Sequence, residues 1–193
     1  MKAKRILELP GKKFAYLYWD TIDLASHLYG PGAEEVAGEI RMLDFQLGEF
    51  LDMLRKDTLF LMMADHGLIA SGKSIDLGRH RKLIEMLEVP PTGETSVSFI
   101  HCKKGKKEKV REYIEGHFNR EGFLLDSQEA LKMGLFGTGK PFKETPYRAG
   151  DFVLVAKKDF DFIFPYLDQG NPKGRHGGLS GEEMLVPFLW KRG

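Results

Sequence analysis

The chain has 193 residues and a formal net charge of +1, with 42% hydrophobic and 30% charged residues. This length suits one domain with a sizeable core, and the composition is that of an ordinary soluble globular protein. The small net charge argues against dedicated nucleic-acid binding, and the single cysteine, Cys102, excludes an internal disulfide and a thiolate zinc site. No apolar stretch reaches the roughly 18 residues of a membrane span. No signal peptide is visible, so we expect a cytoplasmic protein without a membrane partner.

The first part of the chain has the order helix, strand, helix, strand. Residues 2–9 are typical of a helix end, closed by a Pro-Gly pair. Residues 14–19 are predicted to form a buried strand, and 34–54 a long helix, because apolar residues recur there at helical spacing. The uncharged apolar run 59–63 is predicted to be the next buried strand. This strand–helix–strand order predicts a right-handed crossover and a parallel sheet.

The rest of the chain has a different order of predicted elements. A short helix is predicted at 79–87, a strand at 152–156 and a loop at 160–178. A strand, an amphipathic helix, a short strand and a short helix are predicted at 95–101, 106–118, 122–125 and 127–133. These last four elements predict a small α+β insertion. We therefore divide the chain into a first core segment, 1–91, a cap-like insertion, 92–148, and a final core segment, 149–193.

Polar residues follow both predicted strands of the first segment. Asp65 and His66 come directly after the second strand, and Asp23 and His27 follow the first at i, i+4, the spacing of one helix face. Functional groups of parallel sheets lie at the carboxyl ends of the strands, where all four residues fall. His176, in a glycine-rich loop, is a fifth candidate. Carboxylates and imidazoles in this arrangement indicate a metal site.

Each of these features also has an ordinary structural explanation. Asp23 and His27 could form a surface pair or a helix cap, and His176 could simply be a loop residue. Asp65 could close an Asx turn, with His66 as a hydrogen-bonded core residue. A carboxylate at a buried strand end requires a strong partner, however, which favours a function for this last pair.

The number of candidate ligands indicates a paired-metal centre. Two carboxylates and three imidazoles are too many for one four-coordinate zinc ion with an open position, and too few for two complete sites. Two ions about 4 Å apart would clamp the attacking and leaving oxygens of a phosphoryl displacement. One ion could take Asp23, His27 and His176. The other would have Asp65 and His66 and would lack at least one ligand.

Other polar features have structural explanations. The basic cluster 103–109 is typical of a solvated loop and helix start rather than of a nucleic-acid patch. The glycine-rich segment 134–140 follows no apolar strand and is therefore not a phosphate-binding loop. His80, His101 and His117 have no ligand-like neighbours in the sequence.

Three segments of the sequence carry a resemblance to a known family. They are Asp23-Leu-Ala-Ser-His27-Leu-Tyr-Gly-Pro, Ala64-Asp65-His66-Gly67 and His176-Gly-Gly-Leu-Ser-Gly-Glu-Glu-Met-Leu-Val-Pro. In order, spacing and flanking residues they resemble the type I phosphodiesterase/nucleotide pyrophosphatase family of the alkaline phosphatase superfamily. The resemblance covers essentially the whole chain. It implies an α/β fold with a parallel-sheet, alkaline-phosphatase-like core, of which this chain would be the C-terminal portion.

The resemblance also implies a chemistry for the five candidate residues. It implies two divalent metal ions, zinc in the first place, with manganese as the alternative. Asp23, His27 and His176 would bind one ion, and Asp65 and His66 the other. The implied activity is hydrolysis of phosphodiester or nucleotide pyrophosphate bonds in a small phosphate-ester substrate.

One departure from the family pattern concerns catalysis. Members carry a Thr or Ser nucleophile and a further Asp well upstream of the first motif, and the residues before Asp23 hold no such arrangement. We therefore assign no catalytic residue within the chain, expect the nucleophile upstream of it, and expect the chain alone to be weak or inactive.

Apolar faces such as that of Tyr16, Tyr18 and Leu61 would be uncovered, which predicts self-association or an N-terminal companion fragment. Two alternatives stay open: a non-catalytic metal- or phosphate-binding module, and a PglZ-type domain of the same superfamily.

Overall fold

A computed structural model of the chain describes residues 2–158, 160–164 and 172–193. The helices are α1 (Lys2–Glu8), α2 (Thr21–Tyr29), α3 (Glu34–Asp52), α4 (Arg81–Ile84), α5 (Lys107–Phe118), α6 (Ser127–Lys132), α7 (Thr145–Ala149) and α8 (Gly181–Met184), with a 3₁₀ turn at Leu77–Arg79. The strands are β1 (Leu59–Met63), β2 (Ile69–Ala70), β3 (Lys73–Asp76), β4 (Thr92–Gly93), β5 (Val97–Ile100), β6 (Gly122–Asp126), β7 (Phe152–Ala156), β8 (Phe160–Ile163), β9 (Gly174–Arg175) and β10 (Phe188–Arg192). None of the described helices is both long enough and apolar enough to cross a membrane.

The largest hydrophobic core lies between helix α5 and an antiparallel sheet of order β4–β5–β7–β6. Strand β7 is the centre of this core, since residues 152–155 are at most 1% exposed. Helix α5 turns Val110, Ile114 and Phe118 inward, the face that the spacing of its apolar residues predicts. Three strands of the sheet come from the segment 92–148, and β7 follows that segment. The domain boundaries at 91 and 148 stay predictions.

The fold class is α/β, as predicted, with both parallel and antiparallel strand pairs. Strands β3 and β8 pair in parallel, with Lys73 opposite Phe160. Strands β1 and β10 pair antiparallel, with Leu61 opposite Trp190. The short strands β2 and β9 also pair antiparallel, with Ile69 opposite Arg175. The described residues thus form three two-stranded sheets besides the four-stranded one.

The predicted buried strand at 14–19 is wrong. These residues form no strand, and their side chains are exposed, with Phe14 at 92% and Tyr16 at 75%. An apolar run does not specify a hydrogen-bonding partner, and strand β1 pairs with β10 in the described part of the chain instead. The predicted crossover between 14–19 and 59–63 is therefore not present. The parallel pairing occurs between β3 and β8.

Strand β1 occupies 59–63 as predicted, but it is not buried. Leu59, Leu61 and Met63 are each more than half exposed, because the described residues provide nothing that covers this face. The predicted loop 160–178 contains strands β8 and β9, where pairing partners distant in sequence impose an extended conformation. Its residues 165–171 lie outside the described residues.

The predicted helices agree closely with the structure, with one exception. The helices predicted at 34–54, 106–118 and 127–133 are α3, α5 and α6. The helix predicted at 79–87 is broken into the 3₁₀ turn and α4. His80 causes the break, because its backbone leaves the helical region at φ −90° and ψ 64°.

Candidate metal centre

Helix α2 places two of the predicted ligands on one face. Asp23 lies in its first turn and His27 in its last, at i, i+4. The distance between Asp23 Oδ1 and His27 Nε2 is 3.4 Å. Both side chains are partly exposed, so the pair can be reached from solvent.

Strand β9 brings His176 to this face of α2. Lys173 N donates a hydrogen bond to His27 O at 2.8 Å, which holds the strand against the end of the helix. Gly174 allows this close approach, since a Cβ there would lie 2.5 Å from Ser26 O. As a result, His176 Nε2 is 4.0 Å from Asp23 Oδ1.

Asp23, His27 and His176 together form a group with the geometry of a metal centre. One ligand atom of each residue lies within 4.8 Å of those of the other two. No other group of three or more His, Cys, Asp or Glu residues in the described ranges meets the same criterion.

The hydrogen bonds of the group fit a cation. His27 Nδ1 lies 2.8 Å from Gly174 O, and because a carbonyl oxygen only accepts, Nδ1 carries the proton and Nε2 keeps a free lone pair. Asp23 Oδ1 is buried and has no hydrogen-bond partner among the described residues. A buried carboxylate oxygen without a partner costs free energy, and a divalent ion would supply that partner.

The charge state of His176 is also the one that metal binding requires. Burial lowers the pKa of His176 from its ordinary value, the neighbouring His66 ring lowers it further, and Asp23 opposes the shift. The imidazole is therefore neutral at neutral pH, which is the form that binds a metal.

The second predicted pair lies beside this group. The His66 ring stacks on the His176 ring, with 3.7 Å between centroids and 17° between planes. His66 Nδ1 lies 3.1 Å from Gly67 O, so that Nε2 again keeps the lone pair. Asp65 Oδ1 is 3.7 Å from that Nε2, but Asp65 itself is exposed. The structure thus places His66 directly against the triad, with Asp65 next to it. Metal binding by all five residues stays a prediction.

A further side chain, Glu183, organises the loops that carry the two stacked imidazoles. Its buried carboxylate accepts hydrogen bonds from Gly178 N at 2.9 Å and from Ser180 Oγ at 2.7 Å. Its carbonyl oxygen accepts from Gly67 N at 2.8 Å, which joins the loop after His66 to helix α8. Sequence analysis missed this residue, although Ser180 and Glu183 have the spacing of a capping box and form one in the structure.

The exposed Tyr18 is affected by the charge of the carboxylates of the centre. Asp65 above all, and also Asp23, raise the pKa of its phenol above the ordinary value.

Fold and site together define an α/β protein with a candidate divalent-metal centre built from carboxylate and imidazole groups. The model of the type I phosphodiesterase/nucleotide pyrophosphatase family matches residues 2–179, and the chain belongs to this family of hydrolases. No curated protein gives a significant match.

Solved structures show a related fold. Murine ectonucleotide pyrophosphatase/phosphodiesterase 5 has a TM-score of 0.70 at 20% identity, over 90% of this chain and 46% of its own. The human protein of the same name gives 0.69 at 20% identity, with the same coverage. Phosphonoacetate hydrolase from Sinorhizobium meliloti gives 0.61 at 20% identity, over 87% of this chain and 43% of its own. The chain therefore spans less than half the length of these relatives.

Proposed function

We propose that the chain carries part of the metal centre of a hydrolase that cleaves phosphodiester or nucleotide pyrophosphate bonds. One observation supports this most strongly: the convergence of Asp23, His27 and His176 to within 4.8 Å, around a buried carboxylate oxygen with no hydrogen-bond partner in the described ranges. Family membership supports the reaction class. The fold shared with an ectonucleotide pyrophosphatase/phosphodiesterase is consistent with it.

In this proposal the protein groups have distinct tasks. Asp23, His27 and His176 hold one ion, with His27 oriented through Gly174 O. Asp65 and His66 take part in holding a second ion. Zinc is the first choice because it accepts imidazole and carboxylate ligands together, and manganese is the alternative. When bound, such ions supply Lewis-acid polarisation of a phosphoryl oxygen and stabilise the leaving oxygen.

The attacking hydroxyl then belongs to a residue outside these 193, as the family resemblance implies. The substrate is a small phosphate ester, bound at the exposed side of the two carboxylates. The chain by itself then binds metal but hydrolyses poorly, because the covalent route requires a nucleophile that a neighbouring base or metal activates.

The test combines a binding and a hydrolysis measurement on the whole chain. Zinc or manganese is titrated in a calorimeter, and hydrolysis of bis-p-nitrophenyl phosphate is followed by absorbance with the same metal. We expect saturable binding that His176→Ala abolishes, with at most trace hydrolysis. Absence of saturable binding would overturn the metal centre. Robust metal-dependent turnover would show instead that the nucleophile lies within the chain.

A further inference from the structure

A buried ion pair lies directly next to the metal centre in sequence and in space. Arg175 of strand β9 and Asp161 of strand β8 have side chains that are 3% and 5% exposed, and Arg175 Nε is 2.7 Å from Asp161 Oδ1. Neither residue belongs to the candidate ligands. Their burial is exceptional, since Arg and Asp are almost never fully buried unless they are paired.

The guanidinium of Arg175 connects β9 to two other segments. It donates to Ser96 Oγ at 2.9 Å, just before strand β5. It also donates to Lys157 O at 3.3 Å, and to Lys158 O, in the segment between β7 and β8. These hydrogen bonds use Nη1 and Nη2, while Nε faces Asp161, an arrangement that a lysine ammonium cannot reproduce.

Asp161 extends this connection to the turn that follows β2, the strand that pairs with β9. Its Oδ2 accepts a hydrogen bond from Gly72 N at 2.9 Å, and Gly72 lies between β2 and β3. The ion pair therefore connects β9 to β8 and to the turn after its partner strand β2.

A contribution to folding stability does not by itself account for this buried ion pair. Taking both charges out of water costs free energy that their attraction must offset, and burial raises the pKa of Asp161 above its ordinary value although Arg175 acts against that shift. Apolar residues of similar volume often replace such pairs without loss of stability.

The position of the ion pair beside strand β9 explains its presence better than a gain in stability does. Strand β9 has only two residues, Gly174 and Arg175. Gly174 O lies against His27 Nδ1, and His176 follows Arg175 directly. A shift of β9 would therefore displace one imidazole and release the hydrogen bond that orients the other.

We propose that Arg175 and Asp161 are a positioning pair that locks β9, so that His27 and His176 present Nε2 to the same ion. This inference rests on the proposed metal centre for its purpose. The alignment of the rings in the metal-free chain can be tested separately. Groups that orient metal ligands from outside the ligand shell change metal affinity by about 10- to 100-fold when they are removed.

The first experiment measures zinc affinity of the full chain by competition with a chromophoric chelator. Arg175→Lys keeps the charge and loses the fork, and Asp161→Asn keeps the size and loses the counter-charge. We expect each to weaken zinc binding by about 10- to 100-fold. The double variant Asp161→Leu with Arg175→Met removes the buried charges together. The double variant should have a thermal midpoint near that of the wild type, yet its zinc binding should be weakened as in the single variants.

Asp126→Asn is the matched control. Asp126 pairs with Lys107 at 2.8 Å and caps helix α6, and its partners are all outside the metal centre. This variant should lose stability, because it loses the partly buried ion pair with Lys107, and it should bind zinc like the wild type. Zinc affinity that follows thermal stability across all four variants would overturn the positioning role.

The second experiment uses the metal-free chain and stays informative whether or not zinc binds. In nuclear magnetic resonance spectra, the ring protons of His66 and His176 should carry mutual ring-current shifts, since the rings stack at 3.7 Å. Arg175→Lys and Asp161→Asn should reduce these shifts, and Asp126→Asn should not. If Arg175→Lys and Asp161→Asn both kept the ring-current shifts of the wild type, the inference would be overturned. Failure of the wild type to bind zinc would overturn the proposed function alone.

Discussion

Asp23 Oδ1 is the atom on which the candidate centre depends most. It lies 3.4 Å from His27 Nε2 and 4.0 Å from His176 Nε2, and it is buried with no hydrogen-bond partner in the part of the chain that the structure describes. The charge of this carboxylate matters more than its shape, because an amide oxygen binds a divalent cation less strongly than a carboxylate does.

We therefore expect Asp23→Asn to weaken zinc binding at least tenfold while the chain stays folded. Asp44→Asn, at an exposed position of helix α3, is the control and should bind zinc like the wild type. Calorimetric titration measures both variants. Equal affinities in the two would mean that Asp23 is not a ligand.

His80 provides a pH-dependent contribution to stability away from the metal centre. Its Nδ1 lies 3.0 Å from Tyr113 Oη, and the His117 ring stacks on Tyr113 with 4.0 Å between centroids. Burial first, and then His117, lower the pKa of His80 from 6.5, while Asp76 acts in the opposite direction.

A folded-state pKa below the unfolded value means that protonation favours the unfolded chain. The contribution of His80 is therefore complete above the unfolded pKa, and it is lost as the pH falls through that value towards the folded one. We expect His80→Gln to lose less stability than the wild type between about pH 7.5 and about pH 5.5. Urea unfolding at the two pH values measures this difference, and identical losses would refute it.

At the scale of elements, the packing of β9 on α2 determines whether the ligands meet. A Cβ at Gly174 would lie 2.5 Å from the backbone oxygen of Ser26, and neither backbone can yield without moving His27 or His176. We expect Gly174→Ala to lower the free energy of unfolding by about 1–3 kcal/mol and to weaken zinc binding strongly.

Gly48→Ala is the opposite case. Gly48 lies on an exposed part of helix α3 with nothing within 4 Å of an added Cβ. Alanine there should raise the free energy of unfolding by about 0.5–1 kcal/mol and leave zinc binding unchanged. Chemical denaturation and calorimetry on both variants check the pair. A Gly174→Ala chain with wild-type affinity would contradict the packing explanation.

How far the sequence predicts each element depends on where its stabilising contacts lie. Helix α5 and strand β7 follow from local periodicity and from an unbroken apolar run, and both were predicted. The segment 14–19 is also apolar but has no strand partner among the described residues, which sequence spacing cannot reveal. Strand β9 and the ion pair between Asp161 and Arg175 depend on contacts with distant segments, so no local pattern indicates them.

The candidate site was predictable for a related reason. Asp65 and His66, like Asp23 and His27, are adjacent or one helical turn apart, so their grouping is visible in the sequence. The approach of His176 to Asp23 bridges 153 positions, so no local pattern shows it, and it was inferred from the number of candidate ligands and from the family resemblance. The organising role of Glu183 was missed because a capping box normally indicates only a helix start.

At the scale of the whole molecule, the β1–β10 ladder exposes a large apolar surface. Leu59, Leu61 and Met63 on β1 are each more than half exposed, as are Leu189 and Trp190 on β10. Tyr16 and Tyr18 are exposed as well. Contiguous apolar patches and free strand edges favour association.

We propose that the chain self-associates through this ladder. Light scattering coupled to size exclusion should give a mass above 21.9 kDa that rises with protein concentration. Leu61→Lys should shift the distribution towards the monomer, because it places a charge opposite Trp190. Phe45→Lys changes an equally exposed apolar residue of helix α3 and should have no such effect. A wild-type chain that stays monomeric at all concentrations would refute this proposal.

The most direct test of the metal centre is anomalous X-ray diffraction at the zinc absorption edge, from crystals of the whole chain grown with zinc. We expect an anomalous peak about 2.0–2.2 Å from Asp23 Oδ1, His27 Nε2 and His176 Nε2 at once. A second, weaker peak beside Asp65 and His66 would extend the same assignment. Crystals with zinc bound elsewhere and no peak among Asp23, His27 and His176 would contradict the metal centre, and with it the proposed reaction.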